Sequence, residues 1–305
     1  MTTFEKARLF VYRSARPLDM ARWQYHFENG SQEAVLNALS AYQNSDGGFG
    51  HALEADSFNP NSAPIQTWAA ICILDEIKFE DASHPIIQGI LRYLESGADF
   101  DGERKQWLNT VPSNNDYPCA VWWNYGDNGS EFKYNPTAAL AGFIVLFADK
   151  DSKLYRFGSE IAKQAFEWYM DNIPCEEPHI TKCFAQLYEY LCRANADIVD
   201  MELFRTAVTE QVSLNICKDV SKWNKEYVTL PSIFIMSKDS IFYVGSEELV
   251  SEECRLIKEC QLSDGSYNIT WLWYNDFKEY EIAANWWKSD LCIRNMRLLR
   301  EFGDI

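Results

Sequence analysis

Two kinds of helical pattern alternate along this chain, and that alternation restricts its fold more than any other feature. Residues 64–77 read Pro-Ile-Gln-Thr-Trp-Ala-Ala-Ile-Cys-Ile-Leu-Asp-Glu-Ile and are apolar on most sides. Residues 86–94 instead place their apolar side chains at 86, 87, 90, 91 and 94, one face of a helix. The pair recurs. Residues 138–147 are apolar all round, whereas 159–170 concentrate apolar side chains at 161, 165, 166, 168 and 169. Residues 179–192 are again rich in apolar side chains, and 201–217 are more one-sided. A helix apolar on every side must be enclosed, and a one-sided helix lies at a surface. The alternation therefore predicts an all-α chain with two concentric layers of helical hairpins, the inner helices surrounding a centre. Strand signals are poor: only residues 233–236, 241–244 and 267–274 have extended character, and the first two also fit helices or turns.

Two short motifs punctuate the helices. Gln43-Asn44-Ser45-Asp46-Gly47-Gly48-Phe49 is echoed by Gln261-Leu262-Ser263-Asp264-Gly265-Ser266-Tyr267, and each closes a predicted helix. Phe58-Asn59-Pro60-Asn61 is echoed by Tyr134-Asn135-Pro136-Thr137, and each opens an enclosed helix. Glycine admits the backbone angles that such turns require, and recurring Asp46 and Asp264 suit a turn-stabilising role. Matching units near both ends are what a closed ring needs, since its first and last hairpins must pack together. Six hairpins in 305 residues average about 50 residues each. A single domain over 1–305 is expected, with a polar, aromatic-bearing insertion at about 99–134 that forms a folded lid or rim. The third helix is expected over about 31–43 with Ser31 as its N-cap, and the tail over 280–305 as one long helix.

Net charge is −17, which argues against nucleic acid or an anionic membrane as partner. The longest apolar run, 138–148, is shorter than the roughly 20 residues of a membrane span. Nine cysteines without a Cys-x-x-Cys pair, several in apolar helices, point to a reducing compartment. No basic stretch followed by an apolar core opens the chain, so a cytoplasmic location without signal peptide is expected.

The two Gln/Asp/Gly/aromatic motifs resemble the Gln/Gly/aromatic repeats of terpenoid cyclases and protein prenyltransferase β-subunits. That resemblance implies an α/α toroid of six inner and six outer helices around a central cavity. The chemistry of the superfamily is less well matched. The chain contains neither Asp-x-Asp-Asp nor Asp-Asp-x-x-Asp. No trio matches the prenyltransferase zinc site, and His51, His84 and His179 show no paired ligand spacing. Neither a metal nor another cofactor is expected.

The dense ionisable set between two helices, His51, Glu54 and Asp56, supplies the catalytic candidates. Glu54 and Asp56 suit an acid/base pair, and His51 a proton relay. Their bland alternative is hydrogen bonding to loop amides or capping of the next helix. Aromatic and amide residues supply the substrate-binding candidates: Trp122, Trp123, Asn124, Asn135, Trp271, Trp273, Tyr274, Asn285 and Trp286. Such rings hold hydrocarbon, face a carbocation or stack on sugars, and the amides add fixed polar contacts. Core packing is the competing role for each ring. The expectation is a terpenoid cyclase- or prenyltransferase-like enzyme with a carboxylate general acid, acting on a small isoprenoid. A carbohydrate-active enzyme and a non-catalytic binding scaffold are the alternatives. A dry aliphatic cavity favours the first, a polar cleft with two carboxylates the second, and a centre filled by side chains the third.

Overall fold

A computed structural model describes residues 1–126, 133–303 and 305. Among them are eleven α-helices and one short antiparallel ladder. In chain order the first six helices are α1 (Thr3–Ser14), α2 (Pro17–Phe27), α3 (Gln32–Ser40), α4 (Pro64–Glu76), α5 (Pro85–Glu95) and α6 (Thr137–Phe147). The remainder are α7 (Lys153–Asn172), α8 (Pro178–Ala194), α9 (Met201–Asn215), α10 (Glu247–Glu259) and α11 (Tyr280–Phe302). The ladder pairs β1 (Phe100–Asp101) with β2 (Gln106–Trp107). The chain is thus all-α, as the periodicities predict.

Local chemistry sets the helix starts. Pro17, Pro64, Pro85 and Pro178 open α2, α4, α5 and α8, where the missing N–H has no intrahelical partner to lose. Ser31 caps α3 by accepting the Ala34 amide at 3.1 Å, and Thr2 with Glu5 forms a reciprocal capping box on α1. Gly303 closes α11 in the left-handed region, at φ 90°.

The chain divides into two compact units, Met1–Ala41 with Ile216–Ile305, and Tyr42–Asn215. In the second, α6 packs against α7 and α8, touches α5, and α8 packs on α9. Every residue from Thr137 to Val145 in α6 is buried, as its unbroken apolar sequence requires. Close approach depends on small residues. A methyl at Gly142 would lie 2.8 Å from the Tyr190 ring, and one at Gly158 would lie 2.4 Å from Ile144 Cγ2. On α5 the buried set includes Ile86, Ile87, Ile90, Leu91 and Leu94, the predicted face. In the other unit α11 packs against α1, α2 and α10, and α2 packs against α3. Its core includes Cys292, Ile293, Met296, Leu298 and Leu299. Arg22 joins Asp19 at 3.0 Å and Asp290 at 2.8 Å, tying α2 to α11 through a largely buried ion cluster.

The two glutamine turns have the same construction, one in each unit. Gln43 Nε2 donates to the Gly47 carbonyl at 2.9 Å and to the Ile86 carbonyl of α5 at 3.1 Å. Gln261 Nε2 donates to the Gly265 carbonyl at 3.0 Å and to the Thr3 carbonyl of α1 at 2.9 Å. Asp46 Oδ1 accepts the Gly48 amide, and Asp264 Oδ1 accepts the Ser266 amide, both at 2.9 Å. Gly47 and Gly265 have φ of 97° and 95°. A methyl at Gly47 would meet the Gly89 carbonyl oxygen at 2.1 Å, and one at Gly265 the Lys6 carbonyl oxygen at 2.2 Å. Each turn is therefore a clamp that seats its glycine on the backbone of a helix while the glutamine amide ties turn and helix together.

Of the segments with extended character, 233–236 and 241–244 take the turn alternative, with a 3-10 turn at Pro231–Ile233, and 267–273 run without a ladder partner. Branched side chains there fit turns packed against α10, as Ser232 bound to Glu253 shows. The insertion is folded in its described part. It contains the β1–β2 ladder and 3-10 turns at Pro112–Asp116 and Val121–Trp123, and its residues 127–132 lie outside the described residues.

Candidate functional site

The catalytic candidates named from sequence lie together in the loop after the first glutamine turn. His51 is exposed at φ 58°, its Nε2 2.9 Å from Asn44 Oδ1. Glu54 is half-buried. Its Oε2 accepts the Asp56 amide at 3.1 Å, and its own amide donates to Gln66 Oε1 at 2.7 Å. Asp56 is buried, and its carbonyl accepts the Ala120 amide at 2.9 Å. An isolated bridge between Ser57 and Cys119 continues this seam. Burial, and then the charge of Glu54, push the Cys119 thiol up to about 11. The Glu54 carboxylate thus holds a loop amide, and backbone hydrogen bonds stitch the loop to residues 118–120.

Beside them is an open depression of about 400 Å³ lined by Asn44, Asp46, Asn61, Ser62, Tyr93 and Asp99 among others. Its polar groups largely satisfy one another. Ser62 donates to Asp46 at 2.7 Å, Asn44 donates to Ser62 at 3.1 Å, and Tyr93 donates to Asp99 at 2.8 Å.

The binding candidates separate by unit. In Tyr42–Asn215, Trp122 is exposed, and the Trp123 carbonyl accepts from Asn114 at 2.8 Å. Asn124 Oδ1 accepts from the Cys119 thiol at 3.3 Å, and Asn135 Oδ1 accepts from the Cys183 thiol at 3.4 Å. In the other unit Trp273 is buried against Tyr280, and Trp271 meets Tyr227 and Trp287 edge-on. Tyr274 is exposed at φ 58°. Asn285 donates to the Ser14 carbonyl at 3.1 Å, and the Arg16 guanidinium lies 5.1 Å over the Trp286 ring. Several of these groups are thus occupied by internal contacts.

A denser array lies on α4 and α8, where the sequence pattern drew no attention. Within apolar α4, the residues only half-buried are Trp68, Ala69, Cys72, Asp75 and Glu76, spaced as one helical face. On α8 the corresponding stripe is His179, Lys182, Gln186, Glu189 and Arg193. The two stripes meet through hydrogen bonds. Trp68 Nε1 donates to Gln186 Oε1 at 2.7 Å, and Gln186 Nε2 donates to Asp75 Oδ2 at 2.9 Å. The Tyr190 hydroxyl also donates to Asp75 Oδ2, and Arg193 Nη1 reaches Asp75 Oδ1 at 3.3 Å. The Lys182 ammonium lies 5.3 Å from the centre of the Trp68 ring.

The electrostatics of this wall are unusual. Burial raises the Asp75 carboxyl above its ordinary range, while the Tyr190, Gln186 and Arg193 donors act the other way. Glu189 is reachable by solvent, yet the dense protein around it, and then the Asp75 charge, push it up to about 7. It has no hydrogen-bond partner among the described residues. Two raised carboxyls repelling each other favour a state with one negative charge between them. Three donors place that charge on Asp75 and leave the proton on Glu189. His179 is exposed to solvent, yet the dense protein around it lowers its imidazole and favours the neutral form. Burial pushes the Cys72 thiol up to about 11 and raises Cys183 further, so neither is an ionised nucleophile at neutral pH. Among the described residues no group of three or more His, Cys, Asp or Glu side chains has the spacing to hold a metal ion, and no helix is long and apolar enough to cross a membrane.

Comparison with protein-family models, with curated proteins and with solved structures finds no match. The chemistry of the site rests on its own geometry.

Proposed function

We propose that the protein is an enzyme performing acid–base chemistry on a polyhydroxylated substrate, of the glycoside hydrolase or lyase kind, on an α/α-toroid scaffold. The observation that carries this reading is the pairing of two carboxyl groups with different surroundings on one accessible wall. Three donors converge on Asp75, and none reaches Glu189 among the described residues. Carboxyls whose environments drive their protonation apart are the means by which acid and base are assigned in such sites. In a hydrolysis, Glu189 would give its proton to the leaving glycosidic oxygen while Asp75 takes a proton from the attacking water. The Trp68 ring offers a stacking surface, and Lys182 and Arg193 offer donors to hydroxyls. Alternating enclosed and one-sided helices, together with the two like-built turns, support the toroid.

A second reading, a terpenoid cyclase- or prenyltransferase-like enzyme, is favoured by one observation. The motif behind that resemblance makes the same hydrogen bonds at Gln43 and Gln261. A carboxyl that holds its proton near neutrality would also serve a cyclisation begun by protonation.

The test is turnover of an oligosaccharide panel and of farnesyl and geranylgeranyl diphosphate by wild type, Glu189→Gln and Glu54→Gln. Bond cleavage in a saccharide is expected, reduced about 100-fold or more in Glu189→Gln with its helical fold intact by circular dichroism, and retained in Glu54→Gln. Loss of turnover in Glu54→Gln alone would return the site to the glutamine-turn loop. Turnover of a diphosphate and of no saccharide would select the second reading.

A further inference from the structure

Gln186 is buried between the more accessible Lys182 and Glu189 of α8, and both ends of its amide are occupied. Oε1 accepts from Trp68 Nε1 at 2.7 Å, and Nε2 donates to Asp75 Oδ2 at 2.9 Å, with the Tyr190 hydroxyl at 3.3 Å. An indole N–H can only donate, so it selects the oxygen end of the amide. The NH2 end is then turned towards Asp75 by necessity. Without the indole, the amide could rotate and set its oxygen against the carboxylate.

We propose that Gln186, its amide oriented by the Trp68 indole, is a positioning residue that keeps Asp75 the proton acceptor of the site and leaves the exchangeable proton on Glu189. This rests on the acid–base reading above and extends it, since it couples a ring that faces substrate to the protonation of the carboxyl pair. A ligand stacking on Trp68 would act on Asp75 through a single intervening amide.

The groups facing Asp75 make the coupling specific. Its own helix contributes Cys72 and Glu76, and the turn beyond contributes Glu80, which meets Arg193 at 3.6 Å. From α8 come Lys182, Glu189, Tyr190 and Arg193. The core helix α6, packed against α8, carries no ionisable side chain. Tyr190 is held far above its ordinary range by burial and by Asp75, so it remains a donor throughout the accessible pH range. Gln186 and Tyr190 are the neutral donors to Asp75, and removing Gln186 leaves the charges of the wall unchanged.

The experiment is a 13C NMR titration of side-chain carboxyls in the full chain, comparing wild type with Gln186→Leu and Trp68→Phe. Loss of the amide donor should raise the Asp75 midpoint by about one pH unit. A neutral Asp75 no longer repels the neighbouring charge, so the Glu189 midpoint should fall. Trp68→Phe, which frees the amide to turn, should shift both in the same directions by a smaller amount. A residue that merely packs would not move the two carboxyls in opposite directions. Midpoints unchanged in both variants, with the wild-type carboxyls still elevated, would overturn the inference and leave the acid–base reading standing. Wild-type carboxyls that both titrate in the ordinary range would overturn reading and inference together. If Gln186→Leu loses its fold by circular dichroism, Trp68→Phe decides alone, since it keeps an aromatic ring in place.

Discussion

Gly47 and Gly89 show how tightly single residues are constrained. A methyl on Gly89 would stand 2.3 Å from Gln43 Nε2, and one on Gly47 would enter the α5 backbone from a positive φ. Gly89→Ala and Gly47→Ala are each expected to lower stability by about 2 kcal/mol or more, measured by urea unfolding. The glycine of the turn was legible in the sequence because a residue type marks a backbone angle. Gly89 was not, because its role depends on a side chain 46 positions away. Glu189 has a pH signature of its own. Its folded midpoint, about 7, lies above the ordinary glutamate value, so its neutral form is the one the fold favours. Its contribution is fully present below the unfolded midpoint and is lost as pH rises through about 7. Glu189→Gln should therefore gain in Tm relative to wild type between pH 5 and pH 8. A difference independent of pH would show that Glu189 titrates normally.

At the scale of elements, periodicity located most helices to within a few residues. The expected 86–94 is α5, the expected 138–147 is α6, and the enclosed-helix expectation is met along α6. α7 began six residues earlier than its apolar pattern indicated, because Ser152 caps it by accepting the Tyr155 amide at 3.0 Å. The candidate wall on α4 and α8 was hidden for a related reason. Trp68, Cys72, Asp75 and Glu76 sit in a run whose apolar density dominates any window average. The legible signal would have been polar side chains recurring at one face of an enclosed helix, as 182, 186, 189 and 193 do on α8. The turn clamps make an elemental prediction. Gln43→Leu leaves the Gly47 and Ile86 carbonyls without their amide donor and should cost about 1–3 kcal/mol, read from the unfolding midpoint. Gln261→Leu should cost a similar amount through Gly265 and Thr3.

At the scale of the whole molecule, each compact unit carries one copy of the clamp. The copies share no hydrogen-bond partner, so the Gln43→Leu and Gln261→Leu costs should add to within about 0.5 kcal/mol in the double variant. The helical class was legible from sequence at this scale, whereas the division into Tyr42–Asn215 and the joined terminal segments was not. That division depends on α11 returning to α1 and α2, contacts separated by most of the chain. The central claim is that α4 and α8 bear the reactive wall. Its most direct test is the crystal structure of wild type soaked with the oligosaccharide that binds most tightly by calorimetry. The account predicts sugar density on the Trp68 ring, with hydroxyl or glycosidic oxygens within hydrogen-bonding distance of Asp75 and Glu189. Density confined to the depression beside Asn44 and Asp99, with the α4–α8 wall untouched, would contradict it.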